Sequence, residues 1–266
     1  MRPSLARATL VVGTLAALLL LAAASAAQLR SFYGGNKTVQ NRPYDGRFAF
    51  ARVRYKSARG GNWAGPSWAH GYPVAEQNLL RIMLDLSLLD AEVDDVNVVT
   101  LDDPELFRYP IAYIIEVGWW MLTPAEAAGL RAYLLKGGFL IVDDFKPAGW
   151  RGLPGGGWEP FAAAMKRVLP EARFFDLGPD APIFHTFFEI PRTLLDDFPQ
   201  AYNSGRPVFR GIYEDNDPRK RLLVMVNYNT DVSQYWEWSG LGFRPFGDTS
   251  EAYKLGVNYL IYGLTH

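Results

Sequence analysis

The chain contains no cysteine, which removes disulfides, thiolate metal ligands, iron–sulfur clusters and every thiol nucleophile. Histidine is almost as scarce. His70, His185 and His266 are the three present, too few for a His-rich metal site. Neither sign of charge dominates, with 27 Lys+Arg against 28 Asp+Glu, so the concentrated positive field that nucleic acid requires is missing. The spacings G-x-S-x-G, S-x-x-K and H-E-x-x-H do not occur. Gly155-Gly156-Gly157 runs into Trp158-Glu159 rather than Lys-Ser/Thr, which is not a phosphate loop. No nucleic-acid partner, metal or cofactor is expected.

Met1–Ala27 reads as a secretory signal. Arg2 and Arg7 make a positive start, Ala8–Ala24 is apolar apart from Thr9 and Thr14, and Ala24-Ser25-Ala26-Ala27 supplies the small residues of a cleavage site. The apolar run of about 17 residues is at the lower limit for spanning a bilayer, so a membrane link is expected only if this segment stays uncleaved. Its removal takes away Arg2 and Arg7 and no acid, leaving a mildly acidic remainder. The expected setting is exported, periplasmic or extracellular.

With 49% hydrophobic residues in 266, the rest can bury a substantial core. Residues 28–47 read as an N-terminal tether and residues 48–266 as a single α/β domain. Phe48–Tyr55 alternates as a strand, Pro73 opens an amphipathic helix through Leu79, Ile82, Met83, Leu86 and Leu89, and Val96–Leu101 is a short strand. Ile111–Val117 is apolar throughout, as a strand covered on both faces must be. Thr123-Pro124-Ala125-Glu126 carries a capping box with proline in the first helical turn, and Gly137-Gly138 ends that helix. Phe139–Val142 follows as a strand, completing a βαβ unit. Further on, Glu159–Leu169 and Ser250–Leu264 read as helices, and Ala172–Asp176, Val208–Tyr213 and Leu222–Tyr228 as strands, the last two antiparallel.

Ligands of open α/β sheets bind off the carboxyl ends of the strands. Asp143 and Asp144 follow one strand there, Glu116 ends another, and Asn227 and Asp231 follow a third. Adjacent extended residues point to opposite sides. One of Asp143 and Asp144 is therefore expected in the crevice, and the other capping a helix or bonding backbone amides. His70, in the Gly/Trp-rich loop Trp68-Ala69-His70-Gly71-Tyr72, suits a pocket rim. His185, among Pro182, Ile183, Phe184, Phe187 and Phe188, reads first as a core residue and second as a base. The candidate pocket is His70, Asp143, Asp144, His185, Asn227, Asp231 and Glu237, with Trp63, Trp68 and Trp236 as an aromatic rim suited to sugar rings.

Three stretches carry a family resemblance: Gly137-Gly138-Phe139-Leu140 leading into Asp143-Asp144-Phe145, Asn227-x-Asn229-x-Asp231 before Trp236-Glu237, and Tyr253-x-Leu255-Gly256-x-Asn258-Tyr259. With them the chain resembles a bacterial family catalogued as domain of unknown function 4159, over nearly all of the residues past the signal. The resemblance implies a class I glutamine amidotransferase-like fold. That is a three-layer, mostly parallel flavodoxin-like sheet with helices on both faces and some antiparallel edge strands. Amidotransferase chemistry needs a cysteine nucleophile and is excluded here. The leading expectation is a non-catalytic binding module of the cell envelope, with a saccharide or an envelope protein as partner. The alternative is a hydrolase using Asp143 or Asp144 as general acid or base, assisted by His70 or His185, on an envelope or saccharide substrate.

Overall fold

The structure is a computed structural model that describes residues 41–58, 65–94, 96–146, 149, 152, 154–199 and 205–266. The signal segment, most of the tether and Trp63 lie outside the described residues. Among the described residues, no helix is long and apolar enough to cross a membrane.

Seven strands form one sheet: β1 (Ala51–Val53), β2 (Asn97–Val99), β3 (Ile111–Ile115), β4 (Phe139–Asp143), β5 (Phe175–Asp176), β6 (Val208–Tyr213) and β7 (Leu222–Tyr228). Their order is β2-β1-β3-β4-β7-β6-β5. The run from β2 to β7 is parallel, whereas β6 is antiparallel to both β7 and β5. Among the described residues the α-helices are α1 (Val74–Leu86), α2 (Pro124–Leu135), α3 (Trp158–Val168), α4 (Arg192–Asp196), α5 (Ser233–Glu237) and α6 (Phe246–Thr265).

Strand periodicity sorts the core into two halves. Ile111, Tyr113, Ile115, Phe139 and Ile141 pack with Leu79 and Met83 of α1 and with Leu255 and Leu260 of α6. The alternate residues Ala112, Ile114, Leu140 and Val142 pack with Leu130 and Leu134 of α2 and with Phe161 and Val168 of α3. Both faces are covered, so β3 and β4 are apolar at nearly every position. The fold is a three-layer α/β sandwich with antiparallel strands at one edge.

Local signals explain the βαβ unit at its centre. Thr123 Oγ1 accepts from the Glu126 N–H (3.2 Å), and the Glu126 carboxylate accepts from the Thr123 N–H (2.8 Å). At the far end Gly137 takes φ 114°, and the Gly138 N–H returns to the Tyr133 carbonyl at 2.9 Å. Several elements differ in extent from their sequence pattern, β2 and β3 among them being shorter than Val96–Leu101 and Ile111–Val117. Only Ala51–Val53 of the Phe48–Tyr55 stretch joins the sheet, with Phe48 making a lone bridge to Ala91. Only Phe175–Asp176 of Ala172–Asp176 is paired, and α6 begins at Phe246, ahead of Ser250.

Arg52 is the one charged residue inside β1, on the face that meets α1, and it is fully buried. Its guanidinium pairs with the equally buried Glu76 of α1 and stands over the Tyr113 ring at 4.9 Å. Nη1 also donates to the Trp68 (3.1 Å) and His70 (3.3 Å) carbonyls, which fixes the loop after β1. Removing one member of a buried pair strands the other, at a cost of about 3–5 kcal/mol. Arg52→Met should therefore lower urea-unfolding stability by that amount, and Arg52→Met/Glu76→Leu by clearly less. Equal losses in the single and double variants would show that the ion pair is not what holds this loop.

Candidate functional site

The order β2-β1-β3 reverses direction at β1, which makes the carboxyl edge between β1, β3 and β4 the crevice of this sheet. The side chains gathered there come from consecutive strand ends. Glu116 follows β3 and Asp144 follows β4, in strands whose register places Ile115 opposite Asp143. Both adopt left-handed backbone, Glu116 at φ 50° and Asp144 at φ 56°. For a residue other than glycine this costs about 1–2 kcal/mol, and such strain collects at functional sites. Tyr55 Oη, 2.8 Å from the Ile115 and Glu116 carbonyls, braces the first of these turns.

His70 comes to the same place from the loop after β1. Its Nδ1 lies 3.0 Å from Asp144 Oδ2 and 3.2 Å from Glu116 Oε1. Lys146 Nζ lies 2.8 Å from Glu116 Oε1 and 2.9 Å from both Asp144 oxygens. Asp144 is fully buried, Glu116 and Lys146 nearly so, and the His70 side chain keeps 21% of its surface exposed. Two cations and two carboxylates thus face one another out of bulk water.

This geometry sets the protonation states. Burial presses the His70 pKa down, but the hydrogen bonds to Asp144 and Glu116 outweigh it and hold the imidazole well above its ordinary value. Burial likewise disfavours the Lys146 ammonium, and the charges of Asp144, Glu116 and Asp231 overcome it, so its pKa is raised. The Asp231 pKa is raised too, by burial first and then by repulsion from Asp144 and Asp143, which for an acid favours the neutral form. The site therefore sets His70 and Lys146, each held toward its charged form, against the Glu116 and Asp144 side chains, beside an Asp231 held toward its neutral form.

One nitrogen and two carboxylate oxygens of His70, Glu116 and Asp144 all lie within 4.8 Å of one another, a donor set for a divalent cation. Lys146 already contributes a positive charge to both carboxylates. The site therefore has its own counter-ion.

A family model described as Domain of unknown function (DUF4159) matches residues 49–264. The chain belongs to this family. No curated protein matches it.

Within the DUF4159 domain the sequence candidates separate. The structure brings together His70 and Asp144, with Asp231 near enough to act on both electrostatically. Asp143, one residue from Asp144, faces the other way. Its carboxylate accepts from Tyr113 Oη (2.7 Å), Asn227 Nδ2 (3.2 Å) and the Val232 (3.1 Å) and Ser233 (2.8 Å) N–H groups at the start of α5. Asn227 is held in turn by Tyr259 Oη at 2.9 Å. Both are therefore structural supports rather than pocket walls. Asp231 Oδ1 also caps α5, accepting from Ser233 Oγ and the Gln234 N–H.

His185 is in neither the core nor the site. It ends a 3-10 turn with its ring outward, hydrogen-bonded to Glu189 and to the Pro179 carbonyl. Trp236 is not a rim residue: it is buried in α5, its Nε1 donating to the Ala252 carbonyl at 2.9 Å. Glu237, also buried, packs against Gly71, where a Cβ would come within 3.2 Å of its carboxylate. Trp68 is half-buried beside Tyr72. Lys146 is the member that sequence reasoning missed.

The pKa directions fix the sign of the pH dependence. Asp143, Asp231 and His70 all bind protons more readily folded than unfolded, so stability falls as pH rises between the unfolded and folded values. For the two acids the loss starts at about pH 4, and for His70 at about 6.5. Thermal melts should therefore show highest stability in mild acid and a decline toward pH 9. Asp231→Asn should flatten the acidic part and His70→Gln the neutral part. A profile rising from pH 5 to pH 9 would contradict these assignments.

Proposed function

We propose that this DUF4159 chain is an exported binding module of the cell envelope. Its ligand sits at the carboxyl edge between β1, β3 and β4 and offers an oxygen acceptor to the His70 imidazolium. The observation that carries this reading is the self-compensated charge of the site. Asp144 and Glu116 are both engaged by Lys146 and His70, so no carboxylate among these is left to accept a proton from substrate or water. The nearby hydroxyls are engaged as well, Tyr55 with strand-end carbonyls, Tyr113 with Asp143 and Ser233 with Asp231. Trp120 Nε1, after β3, and Thr230 Oγ1, after β7, are among the buried side-chain atoms without a hydrogen-bond partner. A buried donor without a partner costs about 1–3 kcal/mol, which a ligand rich in oxygens would recover. The Met1–Ala27 pattern supports export, and half-buried Trp68 beside His70 supports a saccharide bearing a carboxylate or carbonyl oxygen.

A second reading, a hydrolase, has one specific observation in its favour. The 3.0 Å contact of His70 Nδ1 with Asp144 is the arrangement that orients an imidazole for proton transfer. In that reading the His70 imidazolium protonates the leaving group through Nε2, the neutral imidazole so formed takes the proton of the attacking water, and Lys146 steadies Asp144.

Calorimetric titration with uronate oligosaccharides separates the two. The binding reading expects saturable binding, at least tenfold weaker in His70→Ala and weakening as pH rises through the elevated His70 pKa, with the sugar recovered intact. Release of reducing ends that disappears in Asp144→Asn would establish the hydrolase instead. Binding indifferent to His70 would remove this edge from consideration.

A further inference from the structure

A second site is lined by residues that take no part in the charged cluster. There Ile82 and Leu86 of α1, Phe188, and Phe246 and Tyr253 of α6 line a groove of about 660 Å³. This falls within the range of small-molecule sites, which are mostly apolar with a few placed polar groups. The segment between α5 and α6 forms its mouth. Gly240 (φ 76°) and Gly242 (φ 74°) both take left-handed backbone, turning Leu241 and Phe243 outward. Leu241, Phe243 and Phe246 are 58%, 69% and 88% exposed, an apolar concentration that a soluble surface does not ordinarily keep.

One cation stands in this apolar wall. The Arg244 guanidinium lies 5.1 Å from the Tyr235 ring and 5.3 Å from the Trp238 ring. It donates to Gln234 Oε1 through Nη2, while its Nε is buried without an acceptor. Two rings hold the planar group in place, so an anion meeting it pays little to order it. The other basic residue of the lining, Lys254, is paired with Glu251 at 2.7 Å. An apolar trough with a single guanidinium held between two rings, its other base already paired, matches an amphiphile with one anionic head.

We propose that this groove binds a single long-chain carboxylate, with the acyl chain along Ile82, Leu86, Phe188 and Phe246 and the carboxylate on Arg244. Each additional buried methylene is worth about fourfold in affinity until the groove is filled. The Arg244 contact adds preference for the acid over the alcohol of equal length.

The test uses the full chain, with Trp fluorescence and calorimetry, against octanoate, decanoate and dodecanoate below their micellar concentrations. Dodecanol and phosphatidylglycerol vesicles are the comparison arms. Support is one-to-one binding that tightens by about fifteenfold per added pair of methylenes until the groove is filled, with dodecanol at least tenfold weaker than dodecanoate. Arg244→Met should erase that acid preference while leaving dodecanol binding unchanged. Leu86→Asp should weaken both, with circular dichroism verifying the fold, and His70→Ala should change neither. Equal affinity for acid and alcohol, no dependence on chain length, or binding to vesicles alone would overturn the proposal.

Discussion

Two carboxylates are removed from water at the ends of neighbouring strands, and the rest of the site answers that one electrostatic demand. Glu116 and Asp144 sit side by side because β3 and β4 are parallel and in register, and both turn left-handed where the strands stop. Burying two like charges is prohibitive unless cations come with them. Lys146 arrives from the same strand end as Asp144, and His70 from the loop after β1. Removing either cation would leave a buried carboxylate short of compensation, which is why the raised pKa values of His70 and Lys146 are properties of the cluster.

A second buried ion pair supports the first. Arg52 and Glu76 lie between β1 and α1, and Arg52 grips the Trp68 and His70 carbonyls. Its position over Tyr113 links this pair to Asp143, whose carboxylate caps α5. Polar contacts therefore run from α1 through β1 and β3 to the start of α5, beneath the charged cluster. Interactions of this kind are strong in a low dielectric when all partners are present, and they hold their members to one geometry.

The central βαβ unit was legible in the sequence because its signals are local and agree: an apolar run, a capping box, a glycine exit and a second apolar run. The antiparallel pair β6–β7 was legible for the same reason. The short helix α5 was not. Residues 233–237 follow Asp231, which caps them, but the cap also depends on Asp143, some ninety residues earlier in the chain. Glu237 read as a pocket residue and Trp236 as its aromatic rim, and their burial is a tertiary fact. The split roles of Asp143 and Asp144 were legible from strand alternation alone. Lys146 was not, since charge pairing across a strand end appears only once β3 and β4 are neighbours. His185 misled because an apolar neighbourhood in sequence is not one in space: Pro182 starts a tight turn that carries the ring outward.

The central claim is that Asp144 and Glu116 hold His70 as an imidazolium. The direct measurement is the imidazole nitrogen and carbon shifts of His70 by NMR from pH 5 to pH 9, in the unaltered chain and in Asp144→Asn. The account predicts that His70 stays protonated well above about pH 6.5, the ordinary histidine value, and that losing the Asp144 charge lowers its midpoint. A His70 midpoint at or below the ordinary value, unmoved by Asp144→Asn, would contradict it.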